Sequence, residues 1–409
     1  MHIIDVNDWE LQCFTASGDL VYGVPCAASF DERNVFLGAE ALARAKIFPQ
    51  TFTSNYLYQI SEAPLTRAVG NLRTYADLSF KQFEHMREKA QVREAVFLVP
   101  SYLQDQYLGL LAGIAKAASI APLGFIDHCL ACAYSTSLNQ SFTTLDIGLN
   151  QTSISSIEFA NQEFRVTSAN QTSLGTIGIA DNWIGCIANE FIRNFRFDPL
   201  YSAATEQQMF DEVISWIGSG ELPADLKISV HTEDAERSIT VIPDLLQKYL
   251  VAKLDELSLD ETSAVVLSHR FNRIPSIKEI LGDRVSQCFV VDQKDVASSA
   301  LAIAADFEAG KLERLRACSA LSRNEESVVS AQSAHDRERA LLKPATHLLE
   351  SANAYPLKHR KFDAFLDEDG LLRPGVKVEI DGGEPTSAVI KAGQNVCYSG
   401  NTWLAIREA

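Results

Sequence analysis

Two short turns carry the residues whose types and spacing could do chemistry. In "HIIDVNDWELQCF", residues 2–14, an apolar strand delivers Asp5 to a polar turn that holds Asn7 and Asp8. In "TTLDIGLNQTSISSIEF", residues 143–159, Asp146 reaches the matching place and is followed by Gly148 and Asn150. A hard divalent ion such as Mg²⁺ needs only carboxylates, water and an anionic ligand, so Asp5 and Asp146 form the candidate metal pair. The plainer alternative is that each aspartate caps its own turn through bonds to the backbone. Gly148 would let main-chain N–H groups approach an anion closely, whereas Leu149, Asn150 and Gln151 stand where a phosphate cradle wants more glycine.

Other chemistry is sparse. The chain has no G-x-S-x-G elbow, no H-E-x-x-H and no G-x-x-x-x-G-K-[ST] loop. Cys129 and Cys132 in "CLAC" have no second pair at metal-site spacing and read as the small-residue face of a helix. The remaining cysteines sit in apolar segments such as "QCFVV", as reduced core thiols do.

The elements that must position the two turns repeat. "EAVFLVPSYLQDQYLGLLAGIAKAASIAPLGFIDHCLACAY" reads as buried strand, helix, strand, helix, and "SAVVLSHRFNRIPSIKEILGDRVSQCFVVDQKDVASSALAIAADF" reads the same way. "VFLV" and "AVVL" are continuous apolar runs suited to strands covered on both faces, and Pro275 suits the first turn of a helix. Strands alternating with helices imply a largely parallel sheet in each half, and two such halves enclose a cleft.

Duplicated halves that each open with a strand-Asp-turn-strand hairpin resemble the actin-like ATPase superfamily, and within it the nucleotide-binding domain of the seventy-kilodalton heat-shock chaperones. "VFLVPSYLQDQYLGLLAGIAKAASI" resembles that family's strand-Pro-Ala-Tyr-Phe segment, "GFIDHCLACAYS" its Ile-Asn-Glu-Pro-Thr segment and "VVLSHRFNRIPSIKEIL" its Gly-Gly-Ser-Thr-Arg-Ile-Pro segment. The resemblance covers residues 1 to about 310. It implies an α/β fold of duplicated actin-like, ribonuclease H-like lobes: a first lobe over 1–140 and a second over 141–316 with a shortened outer subdomain.

Carried onto this sequence, the family's site is much altered. Asn7, Asp8 and Trp9 replace a glycine and two hydroxyl residues, and Asp8 would repel a triphosphate. His128 falls where the family has a carboxylate that positions water and Mg²⁺. His269 and Arg270 fall on paired glycines at the purine end, and Gly178 belongs to a segment that keeps Gly175 but no adjacent glycine pair. The resulting expectation is a pseudo-ATPase with no catalytic residue, binding nucleotide weakly or not at all. The alternative is a genuine chaperone-like ATPase with an unusual pocket, which would use ATP and Mg²⁺.

Composition bounds the partners. The 409 residues carry 53 acidic and 36 basic side chains, a formal charge of -17, with no basic-aromatic track. Nucleic acid and acidic membranes are therefore not expected, and no apolar run is long enough to span a bilayer. A cytoplasmic protein with a protein partner, a chaperone or a client, is the expectation. Residues 317–343 read as a helical linker and 344–409 as a small all-β module, with "THLLES", "KFDAFLD", "VKVEID", "SAVIKA" and "NTWLAI" as its strand-like runs.

Overall fold

The computed structural model describes residues 1–58, 60–257, 259, 264–282, 284–307 and 311–320, and then 346–350, 353–367, 370–373, 376–380, 389–390, 395–399 and 401–406. The chain divides into two compact units, Met1–Ala331 and Gln332–Ala409.

The first unit contains two six-stranded sheets. The first lobe supplies β1 (His2–Asp5), β2 (Leu11–Phe14), β3 (Leu20–Val24), β4 (Glu94–Val99) and β5 (Ala121–Asp127), with helices α1 (Tyr75–Ala90), α2 (Asp105–Ala117) and α3 (His128–Ser135). The second supplies β6 (Phe142–Ile147), β7 (Thr152–Ala160), β8 (Glu163–Thr172), β9 (Ala264–Leu267) and β10 (Gln287–Val290), with α4 (Thr176–Phe195), α5 (Ala203–Ser219), α6 (Pro243–Asp255), α7 (Ile277–Gly282) and α8 (Gln293–Ile303). In each lobe the opening hairpin is antiparallel and its first strand pairs in parallel with a later, buried strand: β1 with β4, β6 with β9. The order runs β5-β4-β1-β2-β3 in one sheet and β10-β9-β6-β7-β8 in the other, the same path twice.

Two short strands, β11 (Arg314–Leu315) and β12 (Ala317–Ser319), complete both sheets. β11 runs parallel to β5 at the edge of the first sheet, and β12 runs antiparallel to β8 at the edge of the second. One extended stretch thus straps the two lobes together. Residues 317–319 are strand and not part of a helical linker, because the β8 edge offers unpaired backbone groups that an extended chain satisfies. The rest of the expected linker lies outside the described residues.

The apolar pattern dictates the layers. Ala95 to Val99 of β4 are fully buried, since α1 and α2 cover one face of its sheet and α3 and α8 the other. Helix α3, "HCLACAYS", is buried along nearly its whole length, as a helix apolar all round must be. It packs with α8 between the two sheets. Helix α1 begins with a capping box between Thr74 and Asp77 and ends with Arg87 and Lys89 in its last turn, where they complement the helix dipole. Pro275 lies in the turn before α7 and not in its first turn, because Ser276 has a left-handed backbone (φ 62°) and the helix begins at Ile277. Among the described residues no helix is long and apolar enough to cross a membrane.

The second unit holds a five-stranded antiparallel sheet in the order Asn353–Pro356, His347–Glu350, Asn401–Ile406, Asn395–Tyr398, Glu379–Ile380. Its core stacks Phe365 on Trp403 and sets Phe362 edge-on to Trp403. "KFDAFLD" forms a 3₁₀ turn, Arg360–Phe362, rather than a strand: Phe362, Phe365 and Leu366 recur at helical spacing and all point into the core. Much of "SAVIKA" lies outside the described residues.

Candidate functional site

The two turns meet face to face between the lobes. Past the end of β1, Asn7 Oδ1 accepts from the Trp9 N–H at 2.8 Å and so shapes its own turn. Its amide donates to Asp146 Oδ2 at 2.9 Å and to the Ile147 carbonyl at 3.2 Å, both in the second lobe. Trp9 is buried in the core of that lobe.

Asp8 crosses the same gap. Its carboxylate accepts from the Leu149 N–H at 2.9 Å, the Asn150 N–H at 3.3 Å and Asn150 Nδ2 at 2.7 Å. These are the amides that an external anion would need. The sequence-based expectation that Asp8 would only repel is therefore incomplete, because the carboxylate itself fills the cradle of the opposite turn. Gly148 is required by this contact: a β-carbon there would lie 1.8 Å from Asp8 Oδ1. The turn is closed by the Gly148 N–H bonding to the Gln151 carbonyl at 2.7 Å. Burial raises the Asp8 carboxyl to about 6, against the pull of its hydrogen bonds with Asn150 and Leu149.

The carboxylates of Asp5 and Asp146 do not cap their own turns. Both bind Arg270, which follows β9 and has no solvent exposure. Its guanidinium donates through Nη1 to Asp5 Oδ2 at 2.7 Å, and through Nε and Nη2 to the two oxygens of Asp146 at 3.0 Å each. This fork matches a carboxylate geometrically, and its one positive charge is shared between two buried carboxylates. Burial alone would raise the Asp146 carboxyl, but the Arg270 guanidinium beside it holds it well below the usual range. Arg270 Nη2 also lies 3.1 Å from His128 Nε2. A guanidinium only donates, so Nε2 accepts, and the ring proton sits on Nδ1, 3.6 Å from Cys132 Sγ and 3.7 Å from Asp146 Oδ2.

Other expected site residues fall elsewhere. Arg270 was placed at the purine end by its position in the chain, yet its side chain turns inward to the carboxylates. The neighbouring His269 has both ring nitrogens buried without hydrogen-bond partners, and burial beside Arg270 holds its pKa well below the ordinary value. Gly178 lies in the first turn of α4, facing the Tyr249 hydroxyl and not the cluster. Asn150, besides holding Asp8, bonds Ser54 through its carbonyl and hydroxyl. The N-terminal amides of α4 are occupied as well: Thr176 and Ile177 donate to the Gly148 and Leu149 carbonyls at 3.0 Å.

The residues that sequence reasoning missed are Gln12, which touches Arg270 at 3.4 Å, Tyr102, whose hydroxyl accepts from the Gln151 amide, and Arg273, which bonds Glu10 across the lobes at 2.9 Å. None sits in a recognisable motif, and each is defined by partners far off in sequence. The eight cysteines are free thiols. Burial raises Cys132 well above its ordinary value and pushes Cys129 up to about 12, so neither is a ready nucleophile.

Mg²⁺ with a triphosphate does not fit these residues. The place between the two aspartates is held by Arg270, and the amide cradle is held by Asp8. Asp5 Oδ1 is buried without a partner, but one oxygen falls short of the several that a hard ion requires. Among the described residues no group of three or more His, Cys, Asp or Glu side chains is arranged to hold a metal. The cavity beside Asp146, Gly148 and Tyr102 measures about 20 Å³, room for roughly one water. Neither a protein-family model nor a curated protein matches this sequence.

Proposed function

We propose that this protein has the duplicated lobes of the actin-like ATPase superfamily, in a divergent form resembling the seventy-kilodalton heat-shock chaperones, and works without nucleotide as a cytoplasmic protein-interaction or regulatory scaffold. The observation that carries the reading is the double substitution of ligand by side chain: Arg270 stands in for a cation between Asp5 and Asp146, and Asp8 stands in for an anion on the Leu149 and Asn150 amides. A site whose charges and donors are already paired gains little from an external polyphosphate and must first lose those bonds. The repeated strand order supports the fold assignment, and the net charge of -17 argues against nucleic acid.

Isothermal titration with ATP and Mg²⁺ tests this reading. No saturable heat up to about 1 mM, weaker than about -4 kcal/mol, is the expected result. A dissociation constant below about 10 μM would overturn it and favour the alternative, a genuine ATP-binding chaperone-like ATPase with an unusual pocket.

A further inference from the structure

Beside the filled cleft lies an open groove of about 430 Å³, the size of a small-ligand or peptide site. Tyr58, Tyr102 and Tyr107 line it together with Gln104, Gln171 and Ser61. None of these carries a charge, although the chain has 89 charged residues, 53 acidic plus 36 basic. Such a surface offers aromatic contact area and neutral hydrogen-bonding groups but no counter-ion for a phosphate or carboxylate.

We propose that this groove takes a proline-rich segment of a partner protein in the polyproline II conformation. Pyrrolidine rings pack well on phenol rings, and proline has no N–H, so a binding surface must supply donors to its carbonyls, which amide and hydroxyl side chains do. The preformed polyproline II helix also loses little conformational entropy on binding. Two exposed carboxylates stand next in sequence to lining residues, Glu62 after Ser61 and Asp105, which also meets Arg314 at 3.2 Å, after Gln104. Basic residues flanking the prolines complement them. Tyr102, Tyr58 and Leu103 belong both to the groove and to the small cavity beside Asp146, and Tyr102 bonds Gln151 of the second turn. A segment seated on Tyr102 therefore rests against the junction of the lobes.

This inference rests on the scaffold reading and names a partner class for it. The test is fluorescence anisotropy with a fluorescein-labelled peptide of repeated Pro-Pro-Leu-Pro ending in Arg-Arg, on the full chain, beside a control peptide with glycine for proline. The expected result is saturable binding of the proline peptide at about 10–100 μM, and a loss of about tenfold or more in both Tyr107→Ala and Gln104→Lys. Gln104 is exposed, so its variant should keep the parent's thermal midpoint. No saturation by about 1 mM, equal binding of the glycine peptide, undiminished binding by both variants, or displacement of the peptide by cellobiose each overturns the proposal. Nucleotide binding in the titration would overturn the scaffold reading whatever the peptide does, whereas failure of the peptide alone removes only the groove assignment.

Discussion

Arg270 Nη1 donates to Asp5 Oδ2 at 2.7 Å, an ion pair between positions 265 residues apart that ties the second lobe to the first at the floor of the cleft. Both groups are buried, so neither can exchange its partner for water. Removing the cation leaves two carboxylates uncompensated.

Arg270→Met should therefore cost about 3–5 kcal/mol in chemical denaturation. Asp5→Asn in that background should recover part of the loss, so the double variant should cost less than the sum of the singles. Strict additivity would mean that the pair does not act as a unit.

The carboxylate of Asp8 is held at about 6 by burial, against 3.8 for an unhindered aspartate. Between those values the native state keeps a proton that the unfolded chain has released. The contribution of this group is thus fully present below about 3.8 and lost as the pH rises through about 6. Relative to Asp8→Asn, the parent should lose about 3 kcal/mol between about pH 4 and about pH 7. Denaturation of both proteins across that range checks the sign, and a parent that gains stability relative to Asp8→Asn as the pH rises would contradict it.

Gly148→Ala should destabilise the protein by about 1–3 kcal/mol or more, since its new methyl meets Asp8 Oδ1. Asp8→Gly should instead free the Leu149 and Asn150 amides for an external anion. Inorganic phosphate should then raise the thermal midpoint of Asp8→Gly and leave the parent unchanged, with about 1.4 kcal/mol gained at roughly ten times the dissociation constant.

The strap is held by Asp127, fully buried at the end of β5, which accepts from Arg314 Nε at 2.6 Å and Arg316 Nε at 3.1 Å. Arg314 also donates to the Leu103 and Ser101 carbonyls. Arg314→Ala should cost about 3 kcal/mol and speed hydrogen exchange in both strands that the strap pairs with, Ala121–Asp127 and Glu163–Thr172. Faster exchange in only one of them would show that the two ends of the strap release independently.

Much of the strand and helix framework was legible in the sequence. "VFLV" and "AVVL" are the buried strands their composition indicates, because a strand covered on both faces leaves a continuous apolar run. Asp5, Asp146, Gly148 and His128 do gather at one place. What the sequence did not disclose was pairing. Arg270 looked like a bulky residue in a glycine's place, since a position in a chain identifies a loop but not the direction of its side chain. Asp8 looked like a stray charge, since the Leu149 amide it satisfies is 141 residues away. Strands β11 and β12 are two and three residues long, too short for any periodicity to mark them.

That ribbon from Arg314 to Ser319 has a mechanical meaning. Its two ends are zipped to different sheets, so a hinge motion that parts the lobes must peel one end from its edge or carry both edges along. Gaping of the cleft and fraying of a sheet margin are then one event, and the backbone groups so bared would be the first sign that the molecule had opened.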